Sequence, residues 1–98
     1  MPSALDDKLA LLRKHLNQLK ADYPIGKIGI FGSYAKGRQT SSSDLDILIE
    51  FSDRVTLFRM GGLQQELSKL FGMSVDLVPE DSIKPLIREE IINSVVYA

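Results

Sequence analysis

Lys27-Ile28-Gly29-Ile30-Phe31-Gly32-Ser33, followed ten residues later by Asp44-Leu45-Asp46-Ile47-Leu48-Ile49, is the stretch on which the reading of this chain turns. The apolar run over 27–31 predicts a short buried strand that is cut by Gly32-Ser33. A second strand is predicted from Leu45 to Phe51, with Ile47-Leu48-Ile49 at its centre. Between them lies a polar segment ending in Gln39-Thr40-Ser41-Ser42-Ser43, which reads as a loop inside the domain.

Toward the N-terminus, residues 3–21 predict an amphipathic helix. Ser3 and Asp6 form a capping-box pair, and Leu5, Leu9, Leu12, Leu16 and Leu19 recur at helical spacing as one stripe that Pro24 brings to an end. His15 falls off that stripe and reads as a surface histidine. Toward the C-terminus, a helix is predicted from Thr56 to Leu70, with Met60, Leu63, Leu67 and Leu70 on its apolar face and Gly72 as its stop. Gly61-Gly62 inside it costs about 1 kcal/mol per glycine relative to alanine; the sequence offers no physical reason for the pair, and close packing on the sheet is the expectation set against it. A third strand is predicted over Ser74 to Val78, ended by Pro79, and a last helix over Ile83 to Val95, capped by Asp81 or Ser82. Phe31, Phe51, Phe58 and Phe71 read as core, Asp53 and Arg54 as loop, and Glu66, Glu80, Glu89 and Glu90 as solvated. The order helix, strand, strand, helix, strand, helix implies an α/β (α+β) fold, a small mixed sheet of at least three strands covered by helices. Strand order and the sense of each pair do not follow from the pattern.

The chain has 98 residues, 44% apolar and 26% charged, which predicts a single domain over 1–98 and excludes disordered and collagen-like classes. No apolar run is long enough for a membrane span, and the Met1-Pro2-Ser3 start lacks the pattern of a signal peptide. Cysteine is absent, which excludes disulfides, thiolate metal sites and a cysteine nucleophile; a cytoplasmic location is expected. A net charge of −1 does not favour a polyanionic partner overall. Lys8, Arg13, Lys14 and Lys20 make the first helix basic, but no aromatics interleave with them, so direct nucleic-acid binding is not expected.

Three carboxylates stand where strands should be apolar: Asp44 and Asp46 around Leu45, and Asp76 within Val75-Asp76-Leu77-Val78. A buried, unpartnered carboxylate costs several kcal/mol, so each requires a cation, a hydrogen-bond network or water. Residues two apart on a strand share a face, which puts Asp44 and Asp46 side by side. Oxygen-only donors without histidine or cysteine suit a hard ion, Mg²⁺ or Mn²⁺. Asp76 from a neighbouring strand would complete a site for one or two ions that clamp the attacking and leaving oxygens of a displacement. Taken singly, the aspartate pair also fits a solvated junction capped by Ser43, and Asp76 an edge strand with one wet face. Gly32 allows close approach of backbone to a ligand, Ser33 and the loop N–H groups can hold phosphate oxygens, and Lys36 and Arg38 can offset phosphate charge. On its own this loop equally fits an ordinary turn with two solvated cations. Gly32 and Gly37 have P-loop spacing, but Arg38-Gln39 replaces the required Lys-Ser/Thr, which excludes that motif.

The joint pattern of a strand, Gly32-Ser33, Asp44-Leu45-Asp46 and a strand-borne Asp76 resembles the nucleotidyltransferase superfamily typified by DNA polymerase beta. It is most similar to the minimal, single-domain MNT or MntA-like members, and the tail Ile87-Arg88-Glu89-Glu90-Ile91 also resembles theirs. The resemblance implies a polymerase-beta-like fold in which Gly32 and Ser33 bind the triphosphate and Asp44 and Asp46 ligate the metals. It makes Asp76 a third ligand that helps activate the attacking hydroxyl. Many relatives carry arginine where this chain has Lys36, which is a point charge rather than a bidentate fork. The implied activity is Mg²⁺- or Mn²⁺-dependent transfer of NMP, specifically AMP from ATP, to a hydroxyl of a partner protein. The implied partner is a HEPN-type toxin, with this chain as its antitoxin. A second copy of the chain stays open as a partner. The competing expectation is an inactive relative that neutralises its partner by binding alone.

Overall fold

The computed structural model describes residues 3–98, so the Met1-Pro2 part of the N-terminal reading lies outside the described residues. The first helix, α1 (Ala4–Asp22), begins with the expected reciprocal cap: Ser3 Oγ accepts from the Asp6 N–H at 3.1 Å, and the Asp6 carboxylate accepts from the Ser3 N–H at 3.3 Å. Such a cap contributes about 1 kcal/mol. Leu9, Leu12 and Leu19 of the leucine stripe are buried, with Leu5 and Leu16 packed at its margin.

Strand β1 (Ile25–Phe31) is followed by a single helical turn, α2 (Gly32–Ala35), and then by β2 (Leu45–Phe51). Helix α3 (Leu57–Phe71) runs from the Thr56 cap to Gly72, which takes the left-handed conformation, and leads into β3 (Val75–Pro79). A 3₁₀ turn (Glu80–Ser82), helix α4 (Pro85–Ser94) and a two-residue strand β4 (Val96–Tyr97) complete the chain. The sheet order is β3-β2-β1-β4, with β2 and β3 parallel and the other pairs antiparallel. The parallel pair follows from α3, the crossover helix that returns the chain to the same edge.

Alternation along β2 sorts its residues between two faces. Leu45, Ile47 and Ile49 join Ile28, Ile30, Val75 and Leu77 under α1 and α3, forming the main core with Leu12, Leu63 and Leu67. On the opposite face Leu48 packs with Phe31 and Ile83, and Val78, Ile91 and Val95 close over them. Helix α4 therefore covers the sheet face that Asp46 shares with Leu48. No helix among the described residues is long and apolar enough to cross a membrane.

Several expectations change. Helix α4 starts at Pro85, not Ile83, with Lys84 at its N-cap and no side-chain cap from Asp81 or Ser82. Proline is pre-shaped for a first helical turn, while Ile83 is buried as an anchor of the second core. Strand β4 is not predicted from the sequence, because two residues carry no periodicity. It lies against Gly29, where a Cβ would come within 2.8 Å of the Val96 carbonyl. Phe58 is 90% exposed rather than core, as is its neighbour Leu57 at 84%, because both lie in the first turn of α3 and off the face carrying Leu63 and Leu67. Gly61 and Gly62 are exposed and do not pack on the sheet: a Cβ at Gly61 would meet nothing within 4 Å, and one at Gly62 only the Tyr23 hydroxyl at 3.7 Å. Nothing in the structure explains the pair.

Two stability measurements follow. Replacing the fully buried Ile47 by alanine should cost about 2–5 kcal/mol in urea unfolding, through lost burial and the cavity left behind. Gly61→Ala should instead raise stability by about 0.5–1 kcal/mol, since the helix gains propensity and the added methyl meets open space.

Candidate active site

The turn out of β1 brings the two sequence motifs together. Gly32 has φ +73°, the left-handed region that glycine tolerates, and a Cβ there would overlap Asp46 Oδ2. Glycine is thus required twice at this position, once for the backbone and once to make room for a carboxylate fourteen residues away. Phe31 is the cross-strand neighbour of Asp46 on β2, which sets Gly32 beside it.

On the other side of β2, Asp46 pairs in parallel register with Asp76 of β3. In-register neighbours on adjacent strands point to the same face at a spacing of about 4.8 Å. The Leu45 N–H donates to the Ser74 carbonyl at 3.0 Å, holding the two strand starts together. Asp44 lies just ahead of β2. The loop before it is pinned by its own hydroxyls: the Thr40 N–H donates to Ser43 Oγ at 2.8 Å, and the Ser43 N–H donates to the Thr40 carbonyl at 3.1 Å. The serine run therefore shapes the approach to the aspartates.

Asp46 is half-buried, whereas Asp44 and Asp76 are exposed. Burial pushes the Asp46 carboxyl above its ordinary value of 3.8, and the charges of Asp76 and then Asp44 push it further in the same direction. Among the described residues, no hydrogen bond or ion pair reaches any of the three carboxylates; the two ion pairs join Lys36 to Glu90 and Arg88 to Glu80. The donor set is all oxygen, on one face, with mutual repulsion that a divalent cation would relieve, and in that respect it fits a hard metal ion. The described residues hold no group of three acids or histidines already drawn close enough to cage an ion.

The cationic residues of the loop are placed differently from the aspartates. Lys36 Nζ lies 3.1 Å from Glu90 Oε1 on α4, and Glu90 is exposed as expected while gaining this ion-pair partner. Glu80 likewise pairs with Arg88. Arg38 is exposed, and its backbone N–H donates to the Ser33 carbonyl at 2.8 Å, folding the loop back over α2. Neither Lys36 nor Arg38 pairs with Asp44, Asp46 or Asp76. A groove of about 1240 Å³ lies at the other end of β2 and β3, lined by residues such as Phe51, Arg54, Met60, Pro79 and Arg88. At a rise of about 3.3 Å per residue, it begins roughly 10 Å along the strands from Asp46. Asp44 and Asp76 are exposed, which leaves that end of the two strands open to solvent beside the half-buried Asp46.

Residues 12–98 match the family described as "Nucleotidyltransferase domain", and the chain belongs to that family as a minimal nucleotidyltransferase. It is 34% identical over 93 residues to protein adenylyltransferase MntA of Thermococcus cleftensis, covering 95% of this chain and 94% of that one. Among solved structures it is similar to a provisionally named minimal nucleotidyltransferase, with a TM-score of 0.78, 31% identity and 92% of both chains covered. It is also similar to a chain of a toxin–antitoxin crystal structure with AMP-PNP, at a TM-score of 0.69 and 26% identity, covering 93% of this chain and 69% of that one.

The raised Asp46 pKa has a consequence for stability. The folded chain holds this proton more tightly than the unfolded chain does, so the group's stabilising contribution is full below the ordinary carboxylate value and is lost as pH rises through the folded pKa. In metal-free protein, Asp46→Asn should therefore melt at a higher temperature than the wild type at pH 7, and the difference should close below about pH 4. Differential scanning calorimetry across that range, with chelator present, checks the sign.

Proposed function

We propose that this protein transfers AMP from ATP to a hydroxyl group of a partner protein, a HEPN-type toxin for which it serves as antitoxin, with Mg²⁺ or Mn²⁺ as the required ion. The observation that carries the reading is the register Phe31–Asp46–Asp76, which sets a glycine–serine bend and two strand carboxylates side by side without any cation among the described residues to balance them. The names of the similar proteins support the finer part: one is a protein adenylyltransferase, and another belongs to a toxin–antitoxin complex with an ATP analogue.

In this reading Asp44, Asp46 and Asp76 hold the metal. A bound divalent ion would neutralise the carboxylates and draw charge from the phosphates and from the attacking and leaving oxygens. Gly32 makes the bend that seats the loop against Asp46, Ser33 offers a hydroxyl and backbone N–H to the triphosphate oxygens, and Lys36 and Arg38 offset its charge. Asp76 is exposed beside Asp46, where it can take the proton of the acceptor hydroxyl. The acceptor oxygen forms a bond to the α-phosphorus, the bond to the bridging oxygen breaks, and pyrophosphate leaves. Most of the rate comes from positioning and charge compensation, as is usual in phosphoryl transfer.

The test is incubation with the product of the adjacent gene, Mg²⁺ and ATP labelled at the α-phosphate. Label should appear on a partner hydroxyl, chelator should abolish it, and Mg²⁺ or Mn²⁺ should restore it. Asp44→Asn, Asp46→Asn and Asp76→Asn should each lower the rate about a hundredfold or more, while leaving the fold intact by circular dichroism. A stable, unlabelled complex would instead identify a protein that neutralises its partner by binding alone.

A further inference from the structure

We propose that Glu90 is a counter-ion that an incoming nucleoside triphosphate must displace from Lys36, so that helix α4 sets the affinity of the site for nucleotide. The inference rests on the reading of Gly32–Arg38 as the nucleotide loop and names a residue that the reading does not use. Lys36 Nζ and Glu90 Oε1 are 3.1 Å apart, and the residues are 54 positions apart in sequence. The contact is therefore created by tertiary packing, not by a helical turn. Its placement is firm: Ile91, the next residue on α4, packs with Val95 against the Phe31–Leu48–Ile83 cluster. That cluster lies on the same sheet face as Asp46, and Glu90 is the acid that α4 presents to the loop.

The exchange of partners is favourable on simple electrostatic grounds. The Lys36 side chain is 38% exposed and that of Glu90 is 71% exposed, so the pair contributes little to folding. Breaking it returns Glu90 to water without a desolvation penalty. Lysine is a compact charge on a flexible stem, able to swing between acceptors. A triphosphate brings more negative charge and more acceptor oxygens than one carboxylate. While Glu90 stays in place, it both neutralises Lys36 and repels an approaching polyanion. The loop's other cation, Arg38, belongs to neither ion pair among the described residues.

The experiment is a titration of the full-length protein with ATP in the presence of Mg²⁺ by isothermal calorimetry, at low and at physiological salt. It compares the wild type, Glu90→Gln, Lys36→Gln and the double variant, each checked by thermal melting. Glu90→Gln should bind ATP about two- to fivefold more tightly at low salt, with a smaller gain at higher ionic strength and an unchanged melting temperature. Lys36→Gln should bind more weakly, and the gain from Glu90→Gln should largely vanish in its background. Unchanged or weaker binding by Glu90→Gln, with wild type binding and Lys36→Gln impaired, would overturn the role of Glu90 and leave the nucleotide loop standing. Normal binding by Lys36→Gln would overturn the exchange itself. No binding by the wild type would overturn the loop assignment and this inference together.

Discussion

Asp46 is held between a glycine and another aspartate, and this arrangement organises the molecule. Its carboxylate fills the space that a side chain at Gly32 would need, and its strand neighbour in register is Asp76. Because side chains alternate, a slip of one residue between β2 and β3 would turn Asp46 into the main core and expose Ile47. Leu45, Ile47 and Ile49 prevent that slip by burying the opposite face under α1 and α3. The apolar residues of β2 thus set the register on which the polar ones depend.

The site is costly to the fold that carries it. Asp46 is partly withdrawn from water beside two further carboxylates, and its ionised form is disfavoured as a result. Natural sites often hold destabilising groups of this kind where chemistry needs them. Here the cost is confined to one end of two strands, while the fully buried Leu12, Ile47, Leu63 and Leu67 pack close by on the other side of the sheet. A small domain can hold a concentrated negative charge only if a continuous apolar layer behind it keeps the backbone in place.

Helix α4 has a similar double character. Its apolar side, Ile91 and Val95, closes the second face of the sheet, and its first turns are tied down by Arg88, which bonds the carbonyl and carboxylate of Glu80 at 3.0 and 3.1 Å. Its polar side carries Glu90 to Lys36. The helix that completes the packing on the Asp46 face also carries the acid that pairs with Lys36 of the Gly32–Arg38 segment.

Much of this was legible from residue pattern. The leucine stripe and capping pair of α1, the seven residues of β2 and the run of α3 from Thr56 to Gly72 are all local matters of spacing and chemistry. Residues whose partners lie far along the chain were not legible. Phe58 is aromatic yet faces solvent, β4 exists only because β1 offers it an edge, and Glu90 gains a role through a lysine 54 positions away. Periodicity records which side of an element is apolar, because burial repeats with the turn of a helix or the pleat of a strand. It carries no record of what stands opposite a given side chain. The parallel alignment of Asp46 with Asp76, the fit of Gly32 against a carboxylate and the ion pair across α4 arise only when distant segments meet.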